Sequence, residues 1–269
     1  MGVRRSSAAR RWFARASVAL ALVAAAPAVV ASDPLLTLPT TLPARVLHVP
    51  ILMYHRIDRA RQGDPAITRA LTVPLSDFAA QMRWLHGHGY HAITQLALFE
   101  ALEHGARLPT RPVVITFDDG YADIMGAAHV LHDLGMPATA YVITDRIGSK
   151  SGFLTWGQLR ELETLGFDIG SHTVNHLSLP TLSDAQIHHE LGHSRAVLER
   201  HLGHPVQWFC YPAGRFNDRV VTAVRAAGYV LATTTIGGTQ QSAEHPLRLR
   251  RVRVSHSIGT SGLAGLLGG

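Results

Sequence analysis

The chain has 269 residues, 46% of them hydrophobic and 16% charged, with a formal charge of +6 and one cysteine. It is too apolar for a disordered tail, and the lone cysteine excludes a scaffold held by internal disulfides. The positive charge does not point to nucleic acid: residues 1–31 hold five arginines and no acid, and without them Lys+Arg falls from 25 to 20 against 19 Asp+Glu, a balance of +1.

Residues 1–31 combine a basic start, MGVRRSSAARRWFAR, with the apolar run SVALALVAAAPAVV and a small residue, Ala31. This is the pattern of a secretory signal peptide, and the apolar run is shorter than the ~20 residues of a membrane span. Cleavage is expected after Ala31, which places the protein in the periplasm or outside the cell. Arg10 and Arg11, followed by Trp12 and Phe13, loosely resemble a twin-arginine signal, with ordinary Sec export the other route. Residues 32–49 carry three prolines and no helical period, and are expected to form an extended lead-in. Residues 50–269 suffice for one domain.

Short apolar runs at 50–54, 113–117, 138–143, 167–171, 207–211, 229–234 and 249–254 predict buried parallel strands, with a weaker one at 91–93. Amphipathic helices are expected between most of them. From Ser76, the residues Phe78, Met82 and Leu85 fall on one helix face, which stops at Gly87 and Gly89. Thr155 with Gln158 and Ser183 with Gln186 fit capping boxes, and Asn217 fits the cap of a helix running to Gly228. Alternating β and α units predict an α/β protein, and about eight strand signals favour a closed barrel over an open sheet. No GxxxxGK[ST] or glycine-rich dinucleotide fingerprint occurs.

Three clusters of reactive residues fall where predicted strands end: His55 after PILMY, Asp118 and Asp119 after VVITF, and His172 and His176 in SHTVNH. The C-terminal ends of barrel strands share one face, so the clusters can converge. Two histidines and a carboxylate form a ligand set for a divalent metal that leaves positions open. If Asp119 is that carboxylate, Asp118 beside it can take a proton from water, and His55 can return one to a leaving amine. Tyr54, Tyr121, Trp156 and Tyr211 lie near the clusters and can stack on sugar rings or pack in the core.

These residues resemble the polysaccharide deacetylases, also called the NodB-homology or carbohydrate esterase family 4 domain. TFDDG at 116–120 and SHTVNH at 171–176 match the first two family motifs, and FCYPAG at 209–214 is similar to the third. The resemblance implies a distorted (β/α) barrel that removes acetyl groups from glycans with a divalent metal, usually zinc. Carried over by position, it implies Asp118 as the base and Asp119, His172 and His176 as the metal ligands. It also implies that the Ala213 N–H stabilises an oxyanion, a role that a backbone donor fills whatever its side chain, with Tyr211 beside it as a substrate contact. Two departures stand out. Cys210 replaces the arginine that steadies the base, for which Arg251 is the expected substitute, and no clear late histidine supplies the acid. PILMYHRI, FDDGY and the YP-G third motif resemble a circularly permuted branch that includes the biofilm poly-β-1,6-N-acetylglucosamine deacetylases. That branch takes its acid histidine from the first strand, so His55 is expected in that role, with His256 the alternative.

The expected function is therefore exported, metal-dependent N-deacetylation of an N-acetylglucosamine polysaccharide. Peptidoglycan and chitin oligomers are alternative substrates, and a binding-only homologue is a further alternative. Two histidines and a carboxylate also describe non-haem iron oxygenases, against which the second aspartate and the βα alternation argue.

Overall fold

A computed structural model describes residues 45–256 and 258–267, so the leader and all but the end of the lead-in lie outside the described residues. The strands are β1 (Val46–His48), β2 (Ile51–Tyr54), β3 (His91–Ala92), β4 (Pro112–Phe117), β5 (Ala138–Val142), β6 (Phe167–Ser171), β7 (Trp208–Cys210), β8 (Leu231–Gly237), β9 (Gln240–Ser242) and β10 (Leu249–Arg253). The α-helices are α1 (Ala66–Leu71), α2 (Leu75–Gly87), α3 (Gln95–His104), α4 (Ile124–Asp133), α5 (Trp156–Thr164), α6 (Asp184–His188), α7 (Ser194–Leu202), α8 (Asp218–Ala226) and α9 (Thr260–Leu266).

Seven strands close a barrel in the order β2-β10-β8-β7-β6-β5-β4, with β4 pairing back onto β2. All seven pairings are parallel. The expected barrel therefore forms, but the weak run at 91–93 is not one of its staves. Strand β3 pairs with Pro112 and Val113 of β4, and β2 takes the remaining stretch of the same edge, Val114 to Phe117. Val46–His48, which follow the part of the lead-in outside the described residues, form β1 and pair antiparallel with β9.

Barrel strands bury both faces, which is why they read as continuous apolar runs. In β2 all four residues are buried. Ile51 packs in one cluster with Val114, Trp208, Leu231 and Leu249, whereas Leu52 and Tyr54 pack in the other with Phe78, Met82 and Phe117. Successive side chains of a strand alternate faces, so one run supplies both the barrel interior and the layer beneath the helices. Helix α2 presents Phe78, Met82 and Leu85 to that layer, all fully buried.

Both expected capping boxes form, Thr155 with Gln158 opening α5 and Ser183 with Gln186 opening α6. Asn217 caps α8 by accepting from the Val220 N–H at 3.0 Å. These caps fix where each helix starts and hence the length of the strand-to-helix loops on the functional face. Among the described residues no helix is long and apolar enough to cross a membrane.

Candidate active site

The three clusters do converge. His55 leaves β2, Asp118 and Asp119 leave β4, His172 leaves β6 and Ala213 follows β7. With His176, Tyr211, Gly214, Thr235, Arg253 and, from α1, Ile67 and Leu71, they line a cavity of about 250 Å³. A larger hollow of about 600 Å³ between Ile57, Asp58, Pro74, Leu75 and Val130 has no histidine or paired carboxylates on its walls, so volume does not mark the site.

Backbone strain is concentrated here. Five non-glycine residues of the described chain have positive φ, and four of them are Asp119 (74°), Thr173 (69°), His176 (61°) and Ala213 (51°). Such conformations cost of order 1–3 kcal/mol each and persist only where the surroundings over-determine them.

Asp119 Oδ1 stands 3.5 Å from Nε2 of both His172 and His176. Ligands about 2.1 Å from a tetrahedral zinc lie roughly 3.4 Å apart, so these three donors fit a metal of that size. The hydrogen bonding aims these donors at one point. His172 Nδ1 lies 2.7 Å from the Cys210 carbonyl, which can only accept, so Nδ1 carries a proton and Nε2 is the atom turned to Asp119. Burial lowers the His172 pKa, but Cys210, Asp119 and Asp118 outweigh it and hold the ring well above its ordinary value, so a metal at Nε2 would take the place of a proton. Burial and repulsion from His172 lower the His176 pKa to about 4, leaving that ring neutral at physiological pH. The Asp119 carboxyl is raised by burial but lowered further by His172, with a net fall.

Asp118 lies just behind, 3% exposed. Arg251 grips it with two bonds, Nη1 to Oδ1 at 2.8 Å and Nη2 to Oδ2 at 2.7 Å. Arg251 is itself 1% exposed and is anchored by Nε to the Thr234 carbonyl at 2.7 Å and by Nη1 to Thr116 Oγ1 at 3.2 Å. Burial alone would raise the Asp118 pKa, but the guanidinium outweighs it and holds the carboxyl well below the usual carboxylate range. Cys210 Sγ sits 3.2 Å from Arg251 Nη2 and 3.6 Å from Asp118 Oδ2, so the small thiol occupies the third-motif position while the arginine arrives from β10.

His55 Nε2 lies 3.8 Å from Asp118 Oδ2 and lines the same cavity as His172 and His176. Burial lowers its pKa, Asp118 and Asp119 raise it against that, and the net shift is downward. A histidine that rests neutral must take up a proton before it can give one, and Asp118, ionised at rest, has one to pass on only after taking it from water. His256 is placed elsewhere: its Nδ1 meets the Thr72 carbonyl at 2.9 Å, and it does not line the cavity.

A family model described as polysaccharide deacetylase matches residues 105–232. YxkH of Bacillus subtilis (strain 168), assigned by its name to the polysaccharide deacetylases, is 35% identical over 214 residues, which cover 79% of this chain and 74% of that protein. The chain belongs to the polysaccharide deacetylase family. The deacetylase PplD of Streptococcus pyogenes, solved with acetate, superposes with a TM-score of 0.76 at 28% identity, over 83% of this chain and 99% of that one. The poly-β-1,6-N-acetyl-D-glucosamine N-deacetylase of Escherichia coli (strain K12) is 29% identical over 130 residues, covering 42% of this chain but 19% of that protein.

The stretch matched by the family model begins after His55, Ile67 and Leu71 and ends before Thr235, Arg251 and Arg253, so part of the cavity wall and the arginine that grips Asp118 lie outside it. Tyr211 contributes wall rather than a donor: its hydroxyl goes to the Leu247 carbonyl at 3.0 Å and its N–H to Thr233. Ala213, in contrast, is exposed on a turn closed by Gly214 N to Tyr211 O and Arg215 N to Pro212 O, and its own N–H takes part in neither bond. The aromatics expected as sugar platforms are engaged in packing. Tyr54 is fully buried with its hydroxyl on Gln81, Tyr121 stacks on Phe153, and Trp156 stacks on His201.

Sequence reasoning missed Glu190, which accepts from the Val174 and Asn175 N–H groups at 3.0 and 2.9 Å in the loop between His172 and His176. Its position in a helix, beside other polar residues, reads as a solvated face, and nothing local marks it as buried.

Proposed function

We propose that this polysaccharide deacetylase is an exported, zinc-dependent enzyme that removes N-acetyl groups from an N-acetylglucosamine polysaccharide, with poly-β-1,6-N-acetylglucosamine as the polymer. The observation that carries the reading is the Arg251-gripped Asp118, with His55 3.8 Å away, in one cavity with Asp119, His172 and His176.

Asp119, His172 and His176 would hold the divalent metal. Bound there, the metal supplies Lewis-acid polarisation of the acetyl carbonyl and eases deprotonation of water. Asp118 is the base: it is ionised throughout the physiological range and takes the proton as the water oxygen attacks the acetyl carbon. The Ala213 N–H donates to the oxygen of that carbonyl as it becomes anionic. His55, having gained a proton, gives it to the glucosamine nitrogen as the C–N bond breaks. Acetate and a free amine leave. Arg251 orients Asp118 in every step and touches no substrate atom.

The departures that opened a binding-only reading lose force on this account. Arg251 replaces the missing third-motif arginine, and the backbone at Ala213 needs no particular side chain. The polymer assignment is supported by the resemblance of PILMYHRI to the permuted branch and by the similarity to the Escherichia coli enzyme.

Acetate release from β-1,6-linked N-acetylglucosamine oligomers, with chitin oligomers and peptidoglycan alongside, tests the reading. Release favouring the β-1,6 series is expected. Release from chitin or peptidoglycan alone would keep the mechanism and overturn the polymer, and release from none would overturn the enzyme reading. Export is checked by fractionating cells that express the whole chain, with the shortened protein expected outside the cytoplasm.

A further inference from the structure

We infer that Glu190 is a positioning residue for the metal ligands: its buried carboxylate clamps the His172–His176 loop in the conformation that aims both histidines at Asp119. The inference rests on the metal reading above. Glu190 is 2% exposed, and no Arg, Lys or His among the described residues forms an ion pair with it. A buried carboxylate without a cation is costly unless hydrogen bonds satisfy it. Here all its polar partners come from one loop: Oε2 accepts from the N–H groups of Val174 and Asn175 at 3.0 and 2.9 Å, and Oε1 accepts from Asn175 Nδ2 at 2.8 Å. Bonds to an ionised acceptor are about twice as strong as neutral ones.

The clamped loop is strained at two positions, with Thr173 and His176 both at positive φ. It is held from the opposite side too, where the N–H groups of Thr144 and Asp145 donate to the carbonyls of Thr173 and Val174 at 3.1 Å each. Ser194 adds a second tie: its Oγ lies 2.8 Å from Ser171 Oγ, which accepts from the Thr173 N–H at 3.2 Å. Thr173 Oγ1 in turn accepts from the His176 N–H at 3.0 Å.

Glu190 reaches this loop from a π-helical turn, His189–His193, set between α6 and α7. Such turns are rare and gather at functional sites. The wider turn leaves Glu190, Leu191 and Ser194 all buried, and the carbonyls it frees find side-chain donors. Ser194 Oγ lies 2.7 Å from the Glu190 carbonyl, and Tyr229 Oη lies 3.0 Å from that of Leu191. The turn spells HELGH, the HExxH pattern of helical zinc sites. It is not a second metal site: Glu190 faces inward, while His189 and His193 are exposed and stacked with centroids 4.9 Å apart.

The test is direct zinc titration against a competing chelator for the wild type, Glu190→Gln and Asn175→Ala, with melting curves and with kcat and KM at saturating zinc. Glu190→Gln should bind zinc about 10- to 100-fold more weakly, as for other residues that orient metal ligands. Its kcat should recover as zinc is raised, with KM little changed. Asn175→Ala, which removes one exposed donor, should show a smaller loss of affinity. Zinc affinity equal to wild type in both variants overturns the inference, whatever happens to melting temperature. Should Glu190→Gln fail to fold, wild-type affinity in Asn175→Ala alone overturns it. A wild type that binds no zinc overturns the metal reading instead, and that control tells the two failures apart.

Discussion

Asp118 and Arg251 form a buried pair whose value lies in geometry as well as charge. Replacing Arg251 by Ala leaves a carboxylate buried without its cation, a change that costs about 3–5 kcal/mol, and chemical denaturation at neutral pH should show a loss of that size. The sign of its pH dependence follows from the depressed Asp118 pKa. The pair stabilises the fold above the unfolded carboxylate value of about 3.9 and loses that contribution as pH falls through the folded value. The difference between wild type and Arg251→Ala should therefore be full at neutral pH and shrink in acid. Arg251→Lys should rescue little, because an ammonium cannot reproduce two parallel bonds. At the chemical step, Asp118→Asn should lose about 10²–10⁴-fold in kcat while still binding zinc. His55→Ala should lose turnover and His256→Ala should keep it, measured by acetate release; the reverse pattern would move the acid to His256.

The turn after β7 shows how an element can be functional through its backbone. Gly214 has φ of 68°, and a Cβ there would run into the Thr235 side chain. Gly214→Ala should therefore displace Ala213 and lower kcat, while Ala213→Ser, which keeps the N–H, should retain most activity; steady-state kinetics on the two variants checks this. Elements of this kind mark the limit of what the sequence reveals. The strand ends, the capping boxes and the helix from Ser76 follow from local periodicity and cap chemistry, and each formed close to where it was expected. The π-helical turn, the burial of Glu190 and the engagement of Tyr54 and Tyr211 in packing depend on neighbours distant in sequence, so nothing local announces them. Arg251 was legible only because a motif position held a cysteine where the resemblance expects an arginine. The sequence signalled that a cation was missing from the third motif and pointed to Arg251 on the predicted strand at 249–254, but not to the two bonds with which it grips Asp118.

At the scale of the molecule, closure of the barrel brings residues from 55 to 253 to one mouth. Strand β2 pairs with both β4 and β10, so His55 stands between the strand that carries Asp118 and the strand that carries Arg251. Parallel strands and closure were legible in the βα alternation and the number of strand signals, but the number of staves was not, since β3 shares an edge of β4 with β2 instead of adding one. A metal bound only by the folded site stabilises the fold by mass action, so stripping zinc should lower the melting temperature and restoring it should raise it again. The measurement that bears most directly on the account is acetate release from N-acetylglucosamine oligomers by the purified protein, stripped with chelator and then titrated with zinc, for wild type and Asp118→Asn in parallel. The account predicts no release after stripping, recovery with zinc in the wild type, and recovery in Asp118→Asn to no more than about one hundredth of the wild-type rate. Undiminished release by the stripped protein, or full recovery in Asp118→Asn, would contradict it.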